Sequence, residues 1–96
     1  MTFDLDAGEL CAMAVIGNKR GLHARAAAKF AKIASGFKAE ITVAKEDMKV
    51  SANSIMGLMM LAASQGAEIK ICAVGLDAAA AVEALLEFVK RKFDEE

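Results

Sequence analysis

Ala39-Glu40-Ile41-Thr42-Val43-Ala44-Lys45-Glu46-Asp47-Met48-Lys49-Val50-Ser51-Ala52 alternates apolar and polar residues on either side of a charged break. Successive side chains of a strand point to opposite faces, so Ile41 and Val43 share one face while Glu40 and Thr42 share the other. Met48 and Val50 are set off from Lys49 and Ser51 in the same way. Residues 39 to 52 are therefore predicted to form a β-hairpin turning at Lys45-Glu46-Asp47, with one face buried and the other wet. A sheet that is apolar on one side needs a layer to cover that side, and the rest of the chain must supply it.

Upstream of the hairpin, a strand is predicted over Leu10 to Ile16, broken by the turn residues Gly17-Asn18-Lys19-Arg20-Gly21. From Ala24 to Ser35 the period becomes helical: Ala26, Phe30, Ile33 and Phe37 follow one stripe, Arg25, Lys29 and Lys32 a neighbouring one, and Gly36 supplies a stop. Downstream, a short helix over Ile55 to Ser64 ends near Gly66, and an alternating strand covers Glu68 to Val74. Gly75-Leu76-Asp77 then opens a last helix with Asp77 as N-cap and Val82, Leu85, Leu86, Val89 and Phe93 as its core stripe. The order β-α-β-β-α-β-α predicts an α+β fold in two layers, four strands under three helices, with the second sheet face open to water. Residues 1–9 read as a short acidic extension, loosely attached, and residues 10–96 as a single domain.

Composition narrows the function. Of 96 residues 56% are hydrophobic, enough for a core of one domain. Five Phe with no Tyr or Trp, and 12 basic against 13 acidic residues, argue against a nucleic-acid surface. Charge is nevertheless uneven: residues 10–39 hold Lys19, Arg20, Arg25, Lys29, Lys32 and Lys38 and no acid, a local field suited to an anionic partner or a phosphate. The same run is also what a solvated helix face looks like. No basic, apolar leader opens the chain and no apolar run reaches the ~18 residues of a membrane span, so a cytoplasmic protein without membrane insertion is expected. Cys11 and Cys72 lack metal-ligand or Cys-x-x-Cys spacing and read as reduced, buried thiols. No phosphate-binding Gly-rich loop and no nucleophile triad is present, so neither a cofactor nor a metal is expected.

Gly21-Leu22-His23-Ala24-Arg25 places the single histidine where a loop becomes a helix. A neutral imidazole is a nucleophile near pH 7, and attack on a phosphoryl donor yields a phosphoramidate that can be passed on. The unpaired N–H groups over Ala24 to Ala26 and the helix dipole favour a phosphoryl dianion at that point, and the Arg25 guanidinium offers a fork for its oxygens. A histidine in this position also serves as an ordinary cap or surface residue. The second informative stretch is Ser54-Ile55-Met56-Gly57-Leu58-Met59-Met60-Leu61, apolar all round a helix too short to be wholly buried in so small a domain. Exposed methionines there would make an adaptable docking surface, while deep burial of the helix is the competing reading. Ser54 is the natural N-cap, and a phosphate on it would place about two negative charges beside the methionines.

Gly21-Leu22-His23-Ala24-Arg25-Ala26-Ala27 followed by Ser54-Ile55-Met56-Gly57-Leu58-Met59 resembles the histidine-containing phosphocarrier family HPr of the bacterial phosphotransferase system, over roughly residues 10 to 93. The resemblance implies an open-faced β-sandwich and a phosphoryl carrier. In that role His23 accepts phosphate on Nδ1 from phospho-Enzyme I and donates it to an EIIA-type protein, with Arg25 as partner at the site. It further implies that Ser54 is the target of an HPr kinase/phosphorylase where one exists, and that Ile55, Met56 and Met59, with Arg25 and Lys29, form the partner surface of a monomer. Ala52-Asn53-Ser54 and the run Met60 to Gly66 lean toward the nitrogen-related branch, NPr. Ala26 stands where the family usually has proline, which implies a looser helix start. A regulatory binding module acting through Ser54, Met56 and Met59 without phosphotransfer is the alternative.

Overall fold

A computed structural model describes residues 2–4, by their backbone, and residues 8–95. The strands are β1 (Thr2–Asp4), β2 (Glu9–Val15), β3 (Glu40–Lys45), β4 (Met48–Ser51) and β5 (Glu68–Val74), and the helices are α1 (Ala24–Ser35), α2 (Ile55–Met60) and α3 (Ala78–Lys90). The predicted hairpin is present, with β3 and β4 paired antiparallel and Lys45 opposite Met48 across the Glu46-Asp47 turn. Both outer segments come back to the same sheet. β5 lies between β2 and β3, antiparallel to each, giving the order β1-β2-β5-β3-β4.

Alternation decides which face of this sheet the helices cover. Ala12, Ala14 and Ile16 from the β2 segment, Ile41 and Val43 from β3, and Ile69, Ile71 and Ala73 from β5 are buried, and they join one core with Phe30, Leu58, Val82, Leu85 and Phe88 from the helices. The intervening residues lie on the face that carries no helix, where Met13 and Val15 are 54% and 56% exposed. The result is the predicted two-layer α+β sandwich with one open face.

Five features depart from the sequence reading. Thr2–Asp4 pairs with Cys11, Leu10 and Glu9 as an edge strand, and Glu9 already belongs to β2, so the extension is tied to the four-stranded sheet rather than loose. Residues 1 and 5–7 of that extension lie outside the described residues. Helix α2 ends at Met60 instead of Ser64, because Leu61 caps it and Ala62 takes a left-handed φ of 53° that no helix continues. Asp77 occupies the N-cap position of α3 but its side chain makes no cap bond. Its carboxylate instead accepts from the backbone N–H groups of Lys38 and Ala39, at 2.8 and 2.7 Å, and ties the α1–β3 connection to the start of α3. Those bonds, that to Lys38 foremost, lower the Asp77 pKa below the usual aspartate value.

Cys11 and Cys72 are not free thiols. They stand directly opposite one another in the β2–β5 register and their sulfurs are bonded. Cross-strand adjacency of residues 61 apart in sequence leaves no trace in local spacing. Finally, Phe93 does not continue the α3 stripe. The helix stops at Lys90, and Lys92, Phe93 and Asp94 follow in a left-handed turn with φ of 57°, 57° and 60°. That conformation costs roughly 1–2 kcal/mol per non-glycine residue. Full burial of the Phe93 ring, edge-on to Phe88 with centroids 5.4 Å apart, offsets it.

Candidate functional site

The loop between β2 and α1 is held by backbone contacts to the segment that follows α2. The N–H of Leu22 donates to the Ala63 carbonyl at 2.9 Å, and the Gln65 side-chain amide donates to the Gly17 carbonyl at 3.1 Å. Gly21 has a φ of 66°, and a Cβ at that residue would lie 2.4 Å from the Ala63 oxygen, so only glycine fits this close approach. Leu22 is buried beneath the loop, and the chain turns into α1 at His23.

His23 is the N-cap residue of α1, with extended backbone and no side-chain cap bond. Its carbonyl accepts the first helical bond, from the Ala27 N–H at 2.8 Å. The N–H groups of Ala24, Arg25 and Ala26 precede that bond and have no acceptor within the helix. Ala26, in place of proline, keeps its own N–H, is 1% exposed, and leaves the helix regular from Ala24.

The imidazole is held from the far end of the chain. Nε2 of His23 meets Oε2 of Glu95, while Oε1 of Glu95 accepts from Nδ2 of Asn18. Asn18 is 4% exposed and also donates to the Gly21 carbonyl at 2.9 Å, so its amide group serves both the loop backbone and the tail carboxylate. Its Oδ1 is the buried side-chain oxygen that lacks a partner among the described residues. The Asn18 bond first, and then His23, holds the Glu95 carboxyl below the usual glutamate value. An ionised carboxylate only accepts hydrogen bonds, so Nε2 of a neutral His23 carries the proton and the lone pair resides on Nδ1.

A shallow groove beside this contact is lined by Asn18, Lys19, Arg20, Arg25, Lys29 and Lys92, together with Asp94 and Glu95. Most of the acid-free window read from the sequence thus converges on one place, although Lys32 and Lys38 do not line the groove. Arg25 and Lys29 are exposed on α1. On α2, Ile55, Met56, Met59 and Met60 are exposed while Leu58 is buried, which decides for an open apolar surface. Ser54 caps this helix, its Oγ accepting from the Gly57 N–H at 2.9 Å. The glycine in mid-helix is explained by close approach: a Cβ there would lie 3.0 Å from Ser54 Oγ and 3.1 Å from Val50 Cβ.

Residues 11–91 match the family model PTS-HPr, described as the PTS HPr component phosphorylation site. The chain belongs to the HPr family. It is 50% identical to the phosphocarrier protein HPr of Neisseria meningitidis over 78 residues, covering 81% of this chain and 88% of that protein. Identity to the phosphocarrier protein NPr of Shewanella violacea is also 50%, over 80 residues, 83% of this chain and 88% of that one. A crystal structure of HPr-C-His from Thermoanaerobacter tengcongensis superposes with a TM-score of 0.87 at 46% identity, covering 91% of this chain and 98% of that chain. As an HPr-family protein the chain has the role of a phosphocarrier of the phosphotransferase system.

Of the residues singled out in the sequence, His23, Arg25 and Lys29 lie along the first half of α1 from its N-cap, and Ser54, Ile55, Met56 and Met59 lie on α2 and its N-cap, the two helices being in contact. Asn18 and Glu95 were not read from the sequence. Asn18 looked like a turn residue, and Glu95 sits in a charged tail whose placement depends on the buried Phe93. Glu9, Cys11 and Cys72 bring a carboxylate and two sulfurs within 4.8 Å of one another. Sulfurs bonded to each other are not thiolate ligands, so this group is no metal centre in the oxidised chain.

Proposed function

We propose that His23 is the phosphoryl-accepting residue of this phosphocarrier, taking the group on Nδ1 from phospho-Enzyme I and passing it to an EIIA-type protein. The observation that carries the reading is the Glu95 contact. With Nε2 protonated against a carboxylate, the Nδ1 lone pair attacks phosphorus, a P–N bond forms to His23, and the bond from phosphorus to the donor breaks with its electron pair returning to the donor. Positive charge arising on the His23 ring is met by Glu95 at Nε2, so no proton has to leave Nδ1. Negative charge on the phosphoryl oxygens is met by the unpaired N–H groups at the start of α1 and by the Arg25 guanidinium.

Docking in this reading uses the exposed Ile55, Met56 and Met59 with Arg25 and Lys29, an apolar centre with a cationic margin. Ser54 supplies regulation where an HPr kinase/phosphorylase is present. A phosphate on its Oγ stays at the α2 start and adds about two negative charges next to that apolar centre, weakening docking without unfolding the domain. Equal identity to an HPr and an NPr relative favours neither the sugar-transport nor the nitrogen branch. No helix among the described residues is long and apolar enough to cross a membrane, in keeping with cytoplasmic partners. The test is incubation of the purified chain with Enzyme I and phosphoenolpyruvate. An acid-labile phosphate that disappears in His23→Ala is expected; labelling that persists in that variant contradicts the assignment.

A further inference from the structure

The sheet face that carries no helix holds a feature the phosphocarrier role does not use. Cys11 and Cys72, 5% and 7% exposed, lie opposite one another with Cα atoms 4.1 Å apart, the close spacing of a non-hydrogen-bonded antiparallel pair, in which side chains are nearest. β2 and β5 are paired over seven residues around them, and the core beneath packs Ile69, Ile71, Phe30 and Phe88 on the other face. Six further register pairs hold β2 against β5 besides the one at the sulfurs. Strand pairing thus keeps the two sulfurs opposite one another by contacts other than their own bond.

We infer that Cys11 and Cys72 form a reversible dithiol–disulfide couple that exchanges with low-molecular-weight disulfides of the glutathione type. In the first step the thiolate of one cysteine attacks a sulfur of the small disulfide, its S–S bond breaks, and one small thiolate leaves and takes up a proton. In the second, the other cysteine's thiolate attacks the protein sulfur of the mixed disulfide, the Cys11–Cys72 bond forms, and the second small thiol departs. Two electrons pass from the protein thiols to the small disulfide, and both protons leave with its halves.

Sheet pairing has already closed the loop between residues 61 apart, so the second step finds its partner in place. The same closure in an unfolded chain must overcome loop entropy that amounts to about a thousandfold in equilibrium constant for this separation. The mixed disulfide is consequently short-lived in the folded chain. This inference is independent of the role assigned to His23, which lies at the start of α1 in the helical layer.

The experiment equilibrates the full chain in buffers of fixed glutathione to glutathione-disulfide ratio, quenches with acid, alkylates free thiols and counts them by mass, with and without denaturant during equilibration. The expected result is one step from two alkylated cysteines to none, with no chain carrying glutathione at the midpoint. Dithiothreitol reverses the step, and the native equilibrium constant exceeds the denatured one by about a thousandfold. Cys11→Ser and Cys72→Ser chains instead accumulate glutathione on the remaining cysteine. Thiols that stay free in oxidising buffer, a disulfide between chains, or equal constants in native and denatured chains would overturn the inference.

Discussion

Glu95 reaches across 72 residues of sequence to place a carboxylate on Nε2 of His23, and the same carboxylate accepts from Asn18. A residue of the charged tail thereby fixes which imidazole nitrogen is free. Replacing Glu95 by Gln keeps the size but removes the charge, so the bias toward a lone pair on Nδ1 and the stabilisation of ring positive charge are lost. The initial rate of phosphorylation by Enzyme I and phosphoenolpyruvate should fall by about tenfold, the equivalent of one hydrogen bond to a charged group. Removal of the carboxylate also lessens repulsion of the incoming phosphoryl group, but that group is across the ring while the Nε2 contact is direct. A rate equal to or above that of the unaltered chain would show that repulsion is the larger effect.

Phe93 determines where Glu95 sits. The ring is fully buried and holds the left-handed turn from Lys92 to Asp94 against its backbone cost. Phe93→Ala is expected to lower stability by about 3–5 kcal/mol in urea unfolding, the range for removing a core aromatic. It should also slow phosphoryl acceptance about as much as Glu95→Gln under conditions where it remains folded. Loss of stability with an unchanged rate would separate the tail from the site.

Ser54 contributes through its cap whether or not it is ever modified. Ser54→Ala leaves the Gly57 N–H without its acceptor and should cost about 1 kcal/mol, while Ser54→Asp restores an acceptor at the helix start and should recover much of it. Denaturant midpoints of the three chains check this, and an unchanged midpoint for Ser54→Ala would show that solvent replaces the cap without loss.

Asp77 makes the fold pH-sensitive. Its folded pKa lies below the unfolded value, chiefly through the Lys38 N–H, so the contribution is complete above the unfolded value near about pH 4 and is lost as pH falls through the lower folded one. Glu95, lowered chiefly by Asn18, behaves in the same sense. The unfolding temperature should therefore drop as pH falls below about 4, and less steeply in Asp77→Asn. Parallel curves for the two chains would remove Asp77 from this dependence.

Most of the fold was legible because most of it is local. The alternation in Ile41 to Ser51, the stripe through Ala26 and Phe30, and the break at Gly66 each concern neighbours on one element, and the observed β3, β4, α1 and β5 follow them. What escaped depends on partners far away in sequence: the three-residue edge strand, the carboxylate of Asp77 turned to Lys38 and Ala39, the opposed cysteines, and the tail on His23. The candidate site divides the same way. His23, Arg25 and Ser54 stand at helix starts that sequence marks, whereas Asn18 and Glu95 acquire meaning only once Phe93 has folded the tail back.

The central claim, that Nδ1 of His23 carries the phosphoryl group, is tested most directly by nitrogen and phosphorus NMR of the ¹⁵N-histidine-labelled chain after reaction with Enzyme I and phosphoenolpyruvate. The account predicts a single phosphohistidine whose phosphorus couples to Nδ1, with Nε2 protonated. Phosphorus coupled to Nε2, or bound at any residue other than His23, would contradict it.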